Sequence, residues 1–203
     1  MVKIMPPKTL DLVFLIDRSG SMHGSENDTI GGFNSLIEKQ KAEDYDVKVT
    51  TILFDNGYEV LYKRKPIDSV SNLTSDVYYV RGSTALLDAI GRTITTLDRQ
   101  VNNKVLFVIM TDGMENSSVE FSRSQIKSMI DSHDWEFLFI GADINSYTEA
   151  GRIGIKKSRT ANYKKSREGI ERMYNSVGNA SKLMMRDVSL DDGDWKRDLK
   201  DYD

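Results

Sequence analysis

The sequence predicts an α/β fold with a mostly parallel sheet and helices packed on it. Three observations lead there. Apolar runs of strand length alternate with helix-patterned segments of ten or more residues, long enough to carry crossovers between parallel strands. The runs at 12–16, 104–110 and 135–140 are apolar almost throughout, as strands buried on both faces are. Strands one, two, four and five each terminate in an aspartate, namely Asp17, Asp55, Asp112 and Asp143. In a parallel sheet those four ends share one edge, where open α/β sheets bind ligands.

The elements follow in order. Residues 1–9 read as a lead-in stiffened by Pro6 and Pro7. Strand one covers about 10–16, and a loop with two glycines follows it. Ser25, Asn27 and Asp28 are candidate N-caps for a helix to about 41, with Ile30, Phe33 and Ile37 as its apolar stripe. Residues 47–54 are rich in Val, Ile and Thr and form strand two. Asp55-Asn56-Gly57 is a hairpin turn, so strand three, about 58–62, returns antiparallel. A short helical turn is expected near 67–70. In the helix after Gly82-Ser83-Thr84, the residues Leu86, Ile90, Ile94, Leu97 and Val101 line one face. Strand four, a helix at about 121–133 capped by Ser122 or Ser124, and strand five come next. A helical segment at 146–153, a weak strand near 158–161 and a long helix at 166–185 close the body.

Bulk composition narrows the chemistry. The 203 residues are 39% hydrophobic and 29% charged, as in a globular domain with a large core. The chain has no cysteine, which excludes disulfides, zinc–thiolate sites and thiol catalysis, and its two histidines are too few for a His-rich metal site. No apolar run is long enough to cross a membrane, and none resembles a signal peptide, so a cytoplasmic location is expected. Residues 187–203 hold seven Asp against three basic residues, a balance of −4 that leaves +1 for the rest of a chain at −3. A near-neutral body with an acidic tail makes no electrostatic case for nucleic acid.

The chemistry concentrates where strand one ends. Asp17, Ser19 and Ser21 place one carboxylate and two hydroxyls at alternating positions, a set of hard oxygen donors for a divalent cation. Thr84, at the head of a helix, and Asp112, at the end of strand four, are the candidates to complete it.

The ordered triple Asp17-Arg18-Ser19-Gly20-Ser21, Gly82-Ser83-Thr84 and Thr111-Asp112-Gly113 resembles the von Willebrand factor A (vWA) domain. In that family a D-x-S-x-S sequence, a distant Thr and a distant Asp build a metal-ion-dependent adhesion site, the MIDAS. The resemblance covers about residues 8–185. It looks closest to small stand-alone bacterial and phage vWA proteins, including those associated with tellurium resistance. It implies a Rossmann-like, three-layer fold with sheet order 3-2-1-4-5-6 and strand three antiparallel. It also implies that Ser19 and Ser21 bind the cation directly, and Asp17, Thr84 and Asp112 directly or through water. Residues 1–186 are then the vWA domain and 187–203 an acidic C-terminal tail.

Two carboxylates neutralise a divalent cation and three hydroxyls add no charge, so the metal stays electrophilic. Mg2+ is the expected ion, with Mn2+ or Ca2+ as alternatives. The expected function is non-catalytic binding of a partner protein's Asp or Glu, with no nucleic acid and no membrane involved. The alternative is a Mg2+-dependent hydrolase or phosphotransferase, whose base would have to be Glu115, Asp143 or Asp55. Asp17 as a phosphate-accepting nucleophile lacks the second carboxylate two residues on, where Ser19 stands. No nucleotide-binding glycine motif and no G-x-S-x-G elbow is present. Glu115 and Asn116 are read equally as rim residues and as a loop. Arg18 and Arg81 are expected to pair with nearby carboxylates, His133 to be solvated, and Trp195 to anchor the tail.

Overall fold

Strand β1 (Thr9–Asp17) runs through the middle of a six-stranded sheet of order β3-β2-β1-β4-β5-β6. The structure, a computed structural model, describes residues 8–202, so Pro6, Pro7 and most of the expected lead-in lie outside the described residues. The other strands are β2 (Asp46–Phe54), β3 (Tyr58–Pro66), β4 (Lys104–Thr111), β5 (Glu136–Gly141) and β6 (Thr160–Asn162). The β1 strand pairs in parallel with β2 and β4, β4 with β5, and β5 with β6. The pairing of β2 with β3 is antiparallel, as the short Asp55-Asn56-Gly57 connection requires.

Among the described residues, five α-helices cover the two faces: α1 (Glu26–Lys41), α2 (Leu86–Leu97), α3 (Arg123–Asp131), α4 (Ser146–Arg152) and α5 (Arg167–Met185). The central strand shows why its sequence is apolar at consecutive positions. Leu10, Leu12, Phe14 and Ile16 join one core with Phe33 and Ile37 of α1 and Ile170 and Val177 of α5. Val13 and Leu15 join the other with Leu86, Ile90 and Ile94 of α2 and Ile126 of α3. Alternate residues of a strand point to opposite faces, so two covered faces demand two apolar sets. On α1 the buried stripe is Phe33, Leu36 and Ile37, while Ile30 is only partly buried.

Caps set the helix starts. Ser122 makes a full capping box with Gln125 at the head of α3, and Asn145 and Ser166 cap α4 and α5 through Thr148 N and Gly169 N. The acidic C-terminal segment does not trail into solvent. Leu190, Trp195 and Leu199 belong to the core, and the Trp195 indole donates to the Ser158 carbonyl at 2.8 Å. A kinked 3-10 segment, Asp194–Tyr202, thereby packs against α5 and β6. His133, expected in solvent, lies against the Trp135 ring at 4.5 Å, with its Nε2 2.9 Å from Asp98 Oδ1. No helix among the described residues is long and apolar enough to cross a membrane.

Candidate metal centre

The carboxyl ends of β1 and β4 lie side by side, which brings Asp17 next to Thr111 and Asp112. The Asp17 side chain is fully buried, and both of its oxygens are used. Its Oδ1 accepts from the Ser19 amide at 2.6 Å, which turns the chain so that Ser19 follows in extended conformation. Its Oδ2 accepts from the Thr111 hydroxyl at 2.6 Å. The Tyr78 hydroxyl donates to the Asp17 carbonyl at 2.7 Å and holds the end of β1 from below.

A single 3-10 turn, Gly20–Met22, presents Ser21 beside Ser19, with the two Oγ atoms 3.1 Å apart. The Ser21 hydroxyl donates to Asp112 Oδ1 at 2.5 Å. Thr84 arrives from the loop before α2. Its amide donates to Asn116 Oδ1 at 2.9 Å, and the Asn116 amide donates back to the Thr84 carbonyl at 3.0 Å. Glu115 and Asp88 fix the same loop against the head of α2. Glu115 accepts from the Leu87 amide, and Asp88 accepts from the amides of Val119, Glu120 and Phe121. Burial pushes the Asp88 carboxyl up, but those three amides outweigh it and hold it below the usual range.

A second clamp ties the first and second motif loops. Gly20 N donates to the Gly82 carbonyl at 3.1 Å, and Arg81 N to the Arg18 carbonyl at 2.8 Å. Gly82 sits at φ +67, a conformation that glycine adopts without a Cβ clash.

The five predicted residues are therefore together. Ser19, Thr84 and Asp112 are buried, and Ser21 opens the cluster to solvent. The point where the hydroxyls converge is marked by Gly113. A Cβ there would lie 2.6 Å from Thr84 Oγ1, 3.1 Å from Ser21 Oγ and 3.4 Å from Ser19 Oγ. Those donors suit a divalent cation: two carboxylates, three hydroxyls, and a neighbouring oxygen spacing close to the roughly 3 Å of adjacent ligands around Mg2+. Among the described residues no group of three or more His, Cys, Asp or Glu side chains is placed to hold a metal ion, so carboxylates alone do not make a site here. Gly113→Ala is expected to weaken cation binding by about tenfold or more while circular dichroism stays unchanged, because the methyl crowds the hydroxyls rather than the core. Isothermal titration with Mg2+ checks it.

Of the other strand-end carboxylates, Asp55 accepts from both Arg18 Nε at 2.9 Å and Arg81 Nε at 2.8 Å. Arg18, buried under the loop, also reaches Glu59 at 2.7 Å. Asp143 is exposed, at φ +54. None of the five cluster residues lines the clefts found elsewhere. One of about 620 Å³, bordered by Asn103, Lys104 and Asp187, lies at the opposite edge of the sheet. Sequence reasoning passed over Thr111 as a partner of Asp17, Asn116 as the support of Thr84, and Lys165. The Lys165 ammonium, from the loop between β6 and α5, stands 2.7 Å from Asp112 Oδ2.

An α/β sheet of order 3-2-1-4-5-6 with only β3 antiparallel and helices on both faces is the architecture of the von Willebrand factor type A fold. The chain belongs to the von Willebrand factor type A domain family, whose model matches residues 11–175. Solved structures agree in fold. Proximal thread matrix protein 1 from the mussel byssus, solved with a zinc-occupied MIDAS motif, is 15% identical with a TM-score of 0.66, over 88% of this chain and 46% of that one. The pilus adhesin SpaC from Lactobacillus rhamnosus GG, in its open conformation, is 15% identical with a TM-score of 0.69, over 90% of this chain and 31% of that one. The vWF domain of the pilus tip protein Mfa5 from Porphyromonas gingivalis is 9% identical with a TM-score of 0.65, over 89% and 97%. The chain thus spans less than half the length of the mussel protein and of SpaC. No curated protein matches it in sequence.

Proposed function

We propose that this domain binds a partner protein through a divalent cation, Mg2+ by preference, and performs no catalysis. Asp17, Ser19, Ser21, Thr84 and Asp112 would hold the ion, which would supply an electrophilic position for an Asp or Glu of the partner. The observation that carries this reading is the convergence of three hydroxyls beside Gly113, flanked by two carboxylates. Family membership supports it, since vWA domains are typically adhesion or interaction modules with a MIDAS. The further likeness to stand-alone, tellurium-resistance-associated vWA proteins is part of the proposal and rests on the motifs alone.

The hydrolase alternative needs an uncommitted base near the ion. Glu115 Oε1 accepts from the Ser117 and Ser118 amides, and its Oε2 accepts from Leu87 N and the Ser118 hydroxyl. Asp55 is held by two guanidinium groups. Asp143 alone among the three is exposed, and turnover abolished by Asp143→Asn would favour that alternative. A pull-down with the full chain, with and without EDTA and with Asp17→Ala, tests the binding reading. Partner proteins should be lost on chelation and in the variant; retention at equal yield in all arms would contradict it.

A further inference from the structure

Asp112 divides its two oxygens between different neighbours. Its Oδ1 faces the hydroxyl cluster and accepts from Ser21. Its Oδ2 faces the Lys165 ammonium at 2.7 Å, an ion-pair distance without hydrogen-bond alignment. Lys165 is itself anchored. It donates to the Ser21 carbonyl at 2.6 Å, and Asp143 Oδ2 lies 3.9 Å away on its outer side. The Lys165 side chain is about one-fifth exposed and the Asp112 side chain is fully buried, so solvent screens this pair only in part. Two chain segments 144 residues apart therefore meet at one carboxylate of the metal cluster.

We infer that Lys165 is the metal centre's internal counter-ion: it lowers the affinity for a divalent cation and leaves the loaded centre with a net positive charge. This rests on the metal-site reading above. Asp17, Asp112 and Lys165 sum to −1, and a divalent ion brings this inner set to +1 rather than to neutrality; Asp143, farther off at 3.9 Å and with its side chain 72% exposed, is screened by water. A centre that is cationic when loaded discriminates in favour of anionic partner groups and against neutral oxygen ligands, and Lys165 sets that preference without touching the ion. Lys165 is thus a positioning and charge-setting residue, supplied by the turn that follows the sheet's last strand.

The test is titration of the chelator-treated full chain with Mn2+, followed by electron paramagnetic resonance of the free ion. Lys165→Gln removes the charge and keeps a donor for the Ser21 carbonyl, Lys165→Arg keeps the charge, and Lys165→Met removes both. The charge account predicts that Gln and Met bind Mn2+ about tenfold tighter than wild type and that Arg stays near it. A purely structural role predicts the opposite sign, weaker binding in Gln and Met. Equal or weaker binding in Gln and Met overturns the inference and leaves the metal site standing. A wild-type chain that takes up no Mn2+ overturns both.

Discussion

Asp17→Asn should stabilise the chelator-treated protein at pH 7 by about 1–3 kcal/mol and abolish cation binding in the same step. The cause is the burial of an ionisable carboxylate. Burial pushes the Asp17 carboxyl up to about 6, the bonds from Thr111 and Ser19 pull it back only in part, and the nearby Asp112 charge adds to the rise. A folded-state value above the unfolded one means that the fold holds the proton more tightly than the open chain does. Stability from this group is then present below the unfolded value near 4 and is lost as pH climbs through about 6. Asparagine removes the charge and keeps the network. Its oxygen still accepts from Ser19 N, and its amide can donate to the Thr111 hydroxyl, which turns its proton to the Gly113 carbonyl at 3.0 Å. Urea unfolding in EDTA should show the gain at pH 7 and a smaller gain at pH 5, where wild-type Asp17 is largely protonated. Cation affinity of the wild type should fall over the same range, because protons compete for Asp17. A loss of stability for Asp17→Asn at pH 7 in EDTA would contradict this account.

Asp55→Ala carries the largest expected cost, about 3–5 kcal/mol in urea unfolding. Its Oδ2 is shared by Arg18 and Arg81, and its Oδ1 accepts the Gly57 amide at 2.5 Å. Without that carboxylate the Arg18 guanidinium, fully buried and with one nitrogen already unpartnered, keeps only Glu59 as an anion. Burial alone would raise the Asp55 carboxyl, but Arg81, the Gly57 amide and Arg18 together hold it below the ordinary range. Its contribution is therefore present above the unfolded value and lost as pH falls through the lower, folded one. The damage should reach the metal centre, because the backbone bonds of Arg18 and Arg81 join the two motif loops. Arg18→Met in the Asp55→Ala background should recover part of the loss, since it removes the stranded charge. A cost below about 1 kcal/mol, or no recovery in the double variant, would show that the buried pair matters little.

What the sequence made legible was local in character. An unbroken apolar run marks a strand covered on both sides, and the core assignments of Val13 and Leu15 against Leu12 and Phe14 bear that out. The stripe from Leu86 to Val101 is buried at every predicted position, although α2 ends at Leu97 and Val101 packs from the loop beyond it. The Asp17, Ser19, Ser21 spacing is legible because one short turn builds it. What stayed hidden depends on topology. Nothing around Lys165 signals a role, and it reaches Asp112 only because β6 ends on the same sheet edge as β4. Glu115 looked as much like a rim ligand as a loop residue, yet four donors from Leu87, Ser117 and Ser118 occupy it. The acidic tail has a composition that permits disorder, but Trp195 marked its anchor, and Trp195 together with Leu199 secures it to α5 and β6. Two apolar side chains outweigh a solvated acidic face whose charges remain in water.

The most direct measurement of the central claim is calorimetric titration of the chelator-treated full chain with Mg2+, alongside Asp112→Asn and Ser19→Ala. One saturable ion per chain in the wild type, lost in both variants with the fold intact, is the predicted result. No saturable binding in the wild type, or binding that survives both substitutions, would contradict the assignment of Asp17, Ser19, Ser21, Thr84 and Asp112 as a metal centre.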